Sequence, residues 1–501
     1  MFLPKINYKE SLPVYRQIVE QLKDSIEKDL IKAGSVLPPT RVLAEKLGVN
    51  RSTVFTAYQE LWSLGYIESR QGSYSKVRAR FKIATEENKL SEGIIDWEKI
   101  SSESGKTAFK AFPFYKSEKP PSLISKDAVD FSRFTLDSRL YPVKSFRSSI
   151  NNVLNENNAK VLNYIEFKGY EPLREFIAGR LRLHNINISL DEIVITNGSQ
   201  NGIELVTKLL TNRNNNVVVE APTYSMVLPL FRSYGLNIIG VPMNNDGMDN
   251  DILEKVLKQN KISFIYTMPN FHNPTGITTS QSHREKLLSL SEKYRVPVLE
   301  DGFEEEMKYY GKIVLPIKSM DKKHTVIYIG TFSKVLFPGI RIGWIAAEKK
   351  CIDRIIAIKR FGDLCSNSII QSAVNDFCRK GLYDLHIKKM QRIYSKRMST
   401  AIKYIKEYIP ADGVEWTEPD GGYIIWLRIK QAKEKFENYR GIFTKNNVVV
   451  SNGNVYFIKK PGYLSFRLCI STLNESEIEK GIYNLGKAIK EILKKEKGEI
   501  K

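Results

Sequence analysis

Cysteine and histidine are scarce in this chain, 4 and 5 of 501 residues. Cys351, Cys365, Cys378 and Cys469 stand far apart, with no C-x-x-C pair and no histidine at ligand spacing. That pattern excludes a zinc finger or ribbon, predicts reduced thiols, and gives no reason to expect a metal. No apolar run approaches the ~20 residues that span a bilayer, and Met1-Phe2-Leu3-Pro4-Lys5 lacks the apolar core of a signal peptide. A cytoplasmic protein with no membrane partner is expected. Glycine and proline, 30 and 20, are too few for a collagen-like or low-complexity chain. What is present, 42% apolar and 11% aromatic residues over this length, suffices for large cores in at least two domains.

Acidic charge is also in deficit, 56 Asp and Glu against 77 Lys and Arg, for a formal net charge of +21. Such a surplus fits nucleic-acid binding. It is only slightly denser in residues 1–80, which hold 13 basic and 8 acidic side chains. Because much of it is Lys in an Ile-, Asn- and Lys-rich sequence, genome composition explains it as well as function does.

After Pro13, Val14, Ile18, Leu22, Ile26 and Leu30 recur every four residues, which predicts an amphipathic helix ending at Gly34. A short helix from Thr40 to Leu47 closes at Gly48, and a third runs from an Asn50 cap through Val54, Tyr58 and Leu61 to Gly65. Two helices joined across Gly48-Val49-Asn50 make a helix-turn-helix whose third helix buries Val54, Ala57, Tyr58 and Leu61. Arg51, Ser52, Thr53 and Thr56 then face outward, donors suited to bases and phosphates. Alternation around Gly72, from Tyr66 to Val77, reads as a β-hairpin wing. An ordinary three-helix cap with a solvated polar face fits these features too.

The string Leu37-Pro38-Pro39-Thr40-Arg41, Leu43-Ala44, Leu47-Gly48-Val49, Arg51, Thr53-Val54, Ala57-Tyr58, Leu61 and Gly65-Tyr66 resembles the winged helix of GntR-family transcription regulators. The resemblance implies binding to double-stranded operator DNA. Arg41 and Arg51 would read the major groove, Ser52 and Thr53 would hold phosphates, and Gln71 and Gly72 would form the wing tip at the minor groove. Asn50 replaces a more usual Ser or Thr, and the turn Gly72-Ser73-Tyr74 lacks the family's second glycine.

This domain is expected over residues 1–78. Periodicity then fades, and 79–128 reads as an interdomain linker stiffened by Pro120-Pro121. Trp97, Phe109, Phe112 and Phe114 are too apolar for a fully solvated tether, so part of it should dock on a domain surface. From 129 to 501 strands and helices alternate. Strands at 192–196, 216–220, 262–268, 297–301 and 326–331, with a helix over 199–210, predict a large α/β sheet.

In such sheets ligands bind beyond the carboxyl ends of strands. There the sequence places Asn197-Gly198-Ser199-Gln200, Asn273-Pro274-Thr275-Gly276, Asp301 and Ser333-Lys334. Gly198, Ser199 and Gln200 open a helix whose free amides suit a phosphate, to which Thr331 and Ser333 add hydroxyls and Arg341 a bidentate cation. Asp301 ends an apolar strand and needs a cationic partner such as a protonated ring nitrogen. Lys334 stands in an apolar, Gly-containing context that suits a Schiff-base amine. Singly, each has a plainer reading: a helix cap, a type I turn, a surface acid, a solvated lysine.

Together, Asn273-Pro274-Thr275-Gly276 and Ser333-Lys334 with Arg341-Ile342-Gly343 resemble the fold-type I, pyridoxal-phosphate-dependent aminotransferases, including a smaller C-terminal α+β lobe. The resemblance implies pyridoxal 5'-phosphate bound covalently at Lys334, its ring nitrogen on Asp301, its phenolic oxygen on Asn273, and Tyr224 stacked on the ring. Arg467 would grip a ligand carboxylate, and Tyr164 would reach the phosphate of a second subunit. Phe303 stands where relatives place a tyrosine that bonds the phenolic oxygen, so about 1 kcal/mol of that bonding is absent and at most partial or weak transaminase activity is expected. End to end the chain resembles the MocR subgroup of GntR regulators. That implies a head-to-tail homodimer sensing pyridoxal phosphate, or an amino acid or amine that reacts with it. An active aminotransferase carrying a DNA-binding domain is the alternative.

Overall fold

The computed structural model describes residues 3–8, 10–68, 74–79, 94–116, 127–432 and 436–498, without the side chains of 112–116 and 157–159. The chain divides into two compact units, Met1–Trp97 and Glu98–Lys501.

In the first unit, α1 (Val14–Glu27) and α2 (Thr40–Leu47) pack on α3 (Arg51–Ser63). Ile18, Leu22, Leu43, Val54, Ala57 and Leu61 are each at most 2% exposed, and burying each Ile, Leu or Val side chain contributes about 2 kcal/mol. The stripe of α1 stops sooner than its spacing predicts. The helix ends at Glu27, Asp29 turns the backbone with φ 56°, and Leu30 is 66% exposed. Gly48 closes α2 in the left-handed region, and the Asn50 side chain accepts from the Ser52 amide at 3.1 Å to cap α3. The wing strands β1 (Ile67–Glu68) and β2 (Lys76–Val77) pair antiparallel, Ile67 opposite Val77. Gln71 and Gly72 lie outside the described residues.

Within the expected linker, α4 (Glu103–Lys116) is a 14-residue helix that belongs to the second unit and packs on that unit's surface. Trp97 and Phe109 face outward, 69% and 75% exposed.

The second unit is built on an eight-stranded sheet: β3 (Ile193–Thr196), β4 (Asn216–Ala221), β5 (Asn237–Asn244), β6 (Gly247–Met248), β7 (Ile262–Thr267), β8 (Val298–Asp301), β9 (Val326–Thr331) and β10 (Gly343–Ala346). Its order is β3-β10-β9-β8-β7-β4-β5-β6. Neighbours from β9 to β5 run parallel, while β10 is antiparallel to both its neighbours. β3, β8 and β9 are buried at every residue; β3 and β9 accordingly read as apolar runs ended by a threonine, whereas β8 closes on two buried acids, Glu300 and Asp301. The carboxyl ends of β3, β4, β7, β8 and β9 therefore fall along one edge of the sheet. Helix α5 (Ser199–Leu210) leaves that edge directly after β3, and α6 (Val227–Ser233), the helix that receives α4, follows β4.

A second, antiparallel sheet comprises β11 (Val414–Trp416), β12 (Ile424–Ile429), β13 (Ser451–Asn452) and β14 (Leu464–Cys469), ordered β11-β12-β14-β13. With the C-terminal helix Glu475–Glu496 it encloses a core that includes Phe131, Leu427, Phe466 and Ile482.

Candidate functional site

The described residues carry two candidate sites. The first is on the winged helix. Arg41 on α2, with Arg51 and Ser52 at the start of α3, is exposed; Thr53 is half-buried, and Val54, Ala57 and Tyr58 turn inward. The Ser52 hydroxyl donates to Asn50 Oδ1 at 3.0 Å, so Asn50 both caps the helix and orients a hydroxyl on its outer face.

The second site lies along the carboxyl edge of the large sheet. Asp301 ends β8, where Tyr266 of β7 donates its hydroxyl to Oδ2 at 2.9 Å. Oδ1 is buried without a partner. Burial drives the Asp301 carboxyl up to about 7, against the opposing influences of Tyr266 and Lys334. A cation against Oδ1 would restore its charge.

Lys334 follows β9. Its Nζ donates to the Phe134 carbonyl at 2.9 Å and lies 3.8 Å from the Phe134 ring centroid. Burial pulls its amine below the ordinary 10.5, toward the neutral form that a nucleophile needs. Arg467 on β14 reaches in from the smaller sheet. Its Nη1 donates to Asn273 Oδ1 at 3.1 Å and its Nη2 to the Ser132 carbonyl at 2.9 Å. Its guanidinium lies 5.0 Å from the Phe134 ring and 5.3 Å from the Tyr456 ring. Because Asn273 spends its oxygen on Arg467, its amide nitrogen is the end left to donate.

At the mouth of α5, Arg341 Nη2 donates to the Asn197 carbonyl at 2.8 Å. A methyl group built on Gly198, where φ is 88°, would lie 2.7 Å from that same Nη2. The absent side chain leaves the guanidinium beside the free amides of Ser199 and Gln200, a cradle for a dianion. Ser333 Oγ and Gln200 Oε1 are buried with no partner, whereas Thr331 Oγ1 donates to the Ile342 carbonyl at 3.0 Å and accepts from the Ser333 amide at 3.1 Å. Tyr224 follows β4, half-buried against the core under the sheet.

Phe303 is 6% exposed and meets Phe134 edge-on at 6.1 Å, so its ring packs and offers no hydroxyl. Tyr164 is 80% exposed and joins none of these groups within the chain. Sequence reasoning missed Phe134, Tyr266 and Glu304. For Glu304 a signal existed: three consecutive acids, Glu304-Glu305-Glu306, directly after a buried strand.

These residues fit pyridoxal phosphate. The unpartnered Asp301 Oδ1 suits a protonated pyridine nitrogen, the Gly198–Arg341 cradle suits a phosphate, and Lys334 is the buried amine beside them. The fold and this donor set define an aminotransferase-type cofactor domain. Residues 132–485 match the family described as aminotransferase class I and II, and residues 14–77 match the bacterial regulatory proteins of the gntR family. The chain belongs to both: it is a GntR-family regulator of the MocR type, a winged helix joined to an aminotransferase domain.

YdfD of Bacillus subtilis (strain 168), named an HTH-type transcriptional regulator, is 31% identical over 98% of this chain and 99% of its own length. Aromatic-amino-acid aminotransferase 1 of Thermococcus litoralis is 33% identical over 81% of this chain and 98% of its own. The kynurenine aminotransferase of Pyrococcus horikoshii, solved in complex with PMP, superposes with a TM-score of 0.73 at 31% identity, over 79% of this chain and 98% of that one. None of the helices among the described residues is long and apolar enough to cross a membrane.

Proposed function

We propose that this chain is a cytoplasmic transcription regulator whose winged helix binds operator DNA and whose second unit carries pyridoxal 5'-phosphate on Lys334. The effector is the cofactor itself, or an amino acid or amine that reacts with it. The observation that carries this reading is the unpartnered, fully buried Asp301 Oδ1 in the same site as the Lys334 amine, on a chain that also exposes Arg41 and Arg51 at a helix-turn-helix.

The protein's own groups divide the work. Asp301 would hold the ring nitrogen protonated, Asn273 would donate to the phenolic oxygen, and Tyr224 would stack on the ring. Gly198, Ser199, Gln200, Thr331, Ser333 and Arg341 surround the phosphate, and Arg467 receives an effector carboxylate. When bound, the group supplies an aldehyde that condenses with amines and a ring that withdraws electrons. On the DNA, Arg41 and Arg51 address base edges, Ser52 and Thr53 phosphates, and Gln71 and Gly72 the minor groove. A head-to-tail homodimer, with Tyr164 contributed to the second subunit's phosphate, would present two winged helices to half-sites separated by multiples of ~34 Å.

The completeness of the Lys334, Asp301, Asn273 and Arg467 set also favours a second reading, an active aminotransferase carrying a DNA-binding domain. Borohydride treatment of the purified protein tests the first: the visible chromophore is expected to bleach and leave one adduct, on Lys334. An adduct on another lysine refutes the assignment. Adding an amino acid and then a keto acid separates the readings, since only a working transaminase returns the chromophore through repeated cycles.

A further inference from the structure

Glu304 is the one acid of its run that the fold leaves without a side-chain hydrogen-bond partner. Glu305 accepts from Asn270 Nδ2 at 2.6 Å, and Glu306 accepts from Arg180 Nε and Nη2 at 3.1 and 2.6 Å. Glu304 is 1% exposed, and both its carboxylate oxygens are buried with no hydrogen-bond partner. A buried carboxylate left in this way is costly unless a charge answers it.

The backbone holds it there. Gly422, at φ 68°, packs so closely that a methyl group on it would lie 2.7 Å from Glu304 Oε2. The next residue, Tyr423, donates its hydroxyl to the Lys334 carbonyl at 2.9 Å. One turn thus fixes Glu304 and the lysine backbone together. Burial pushes the Glu304 carboxyl up, towards its protonated form, and Asp301 adds to this, while Lys334, Arg467 and the Tyr423 backbone amide favour ionisation. Lys334 in turn is acted on by Glu304, Cys469, Arg467 and Arg341, and of these Glu304 and Cys469 are the two that favour its ammonium. Arg467 already spends two of its nitrogens on Asn273 and Ser132.

We propose that Glu304 is the counter-ion of the Lys334 ammonium, a positioning residue that receives the lysine whenever its amine is free. While the amine is covalently engaged the carboxylate has no cation of its own but Arg467. When an amino compound displaces the lysine, the released amine meets the Glu304 carboxyl, which burial keeps protonated until a cation answers it, and takes that proton to form the ion pair. Glu304 thereby favours the displaced state and makes the site responsive to amines. This last step rests on the cofactor reading above, whereas the ion pair itself does not.

The test is acetic anhydride labelling of Lys334 in the cofactor-free full chain, quantified on its peptide across pH. Glu304→Gln should move the labelling midpoint to lower pH by about 1 and speed labelling at pH 7 about fivefold, because the neutral amine is favoured once its counter-ion is gone. Glu304→Asp, which keeps the charge, should stay near the parent midpoint. In the cofactor-loaded protein, Glu304→Gln should require several-fold more methylamine to displace Lys334. An unchanged midpoint in Glu304→Gln, or equal displacement in Gln and Asp variants, overturns the proposal. A parent chain that fails to take up pyridoxal phosphate at Lys334 refutes the cofactor reading and leaves the labelling result to stand alone.

Discussion

Asp301 is expected to make the cofactor-free protein less stable as pH rises. Its carboxyl is driven from 3.8 to about 7, chiefly by burial, with one oxygen lacking any partner. A folded value above the unfolded one means that the fold disfavours the ionised form. Stability is therefore full below pH 4, declines as pH rises through 7, and is flat above. At about 1.4 kcal/mol per pH unit, the interval corresponds to roughly 4 kcal/mol at pH 8 and about 1.5 kcal/mol at pH 5. Asp301→Asn keeps an acceptor for the Tyr266 hydroxyl and cannot ionise. The cofactor-free variant should thus be more stable than the parent by an amount that grows by roughly 2–3 kcal/mol between pH 5 and pH 8. Urea unfolding of the second unit, followed by fluorescence of Trp344, Trp416 and Trp426, measures this. Saturation with pyridoxal phosphate should reverse the order at pH 8, because a protonated ring nitrogen then answers the charge. A variant-minus-parent difference that is the same at both pH values would refute the reasoning.

Arg51→Ala should weaken operator binding by about 1–3 kcal/mol and relax base preference at fixed salt, with the visible spectrum unchanged; a gel-shift series on mutated operators reads both. Gly198→Ala must hold a φ of 88° and bring a methyl group against Arg341 Nη2, so cofactor affinity should fall at least tenfold while the fold loses only about 1 kcal/mol, as equilibrium dialysis and melting would register. Arg467→Ala should retain the cofactor and basal DNA affinity but lose the response to amino acids, which spectral titration with an amino acid and a matched amine lacking the carboxylate distinguishes.

Much of this was legible in the chain, for reasons that differ by element. Strands such as Val326–Thr331 are buried on both faces, so their apolar runs left little choice. The helix over Ser199–Leu210 was marked by the glycine before it, and the winged helix by the caps Gly48 and Asn50. Lys334, Asp301 and Arg341 were singled out through motifs that the fold sets along one edge of the sheet. Leu30 shows where periodicity misleads: a stripe in register continued past the point at which Asp29 reversed the backbone. Phe134, Tyr266 and Glu304 escaped because their relation to the site is tertiary. Phe134 lies 200 residues from Lys334 in sequence, yet its carbonyl and ring both meet that amine. The pairing of Glu305 and Glu306, which leaves Glu304 unanswered, depends on side chains from Asn270 and Arg180 that no local pattern links to them.

The central claim is that one chain couples a cofactor on Lys334 to operator binding. Footprinting the DNA upstream of its own gene, at fixed salt, compares the protein saturated with pyridoxal phosphate, the same protein stripped of it, and Lys334→Ala. The account predicts a footprint or affinity that differs between the saturated and stripped protein, with Lys334→Ala behaving as the stripped form whether or not cofactor is added. An identical footprint and affinity in all three would contradict it.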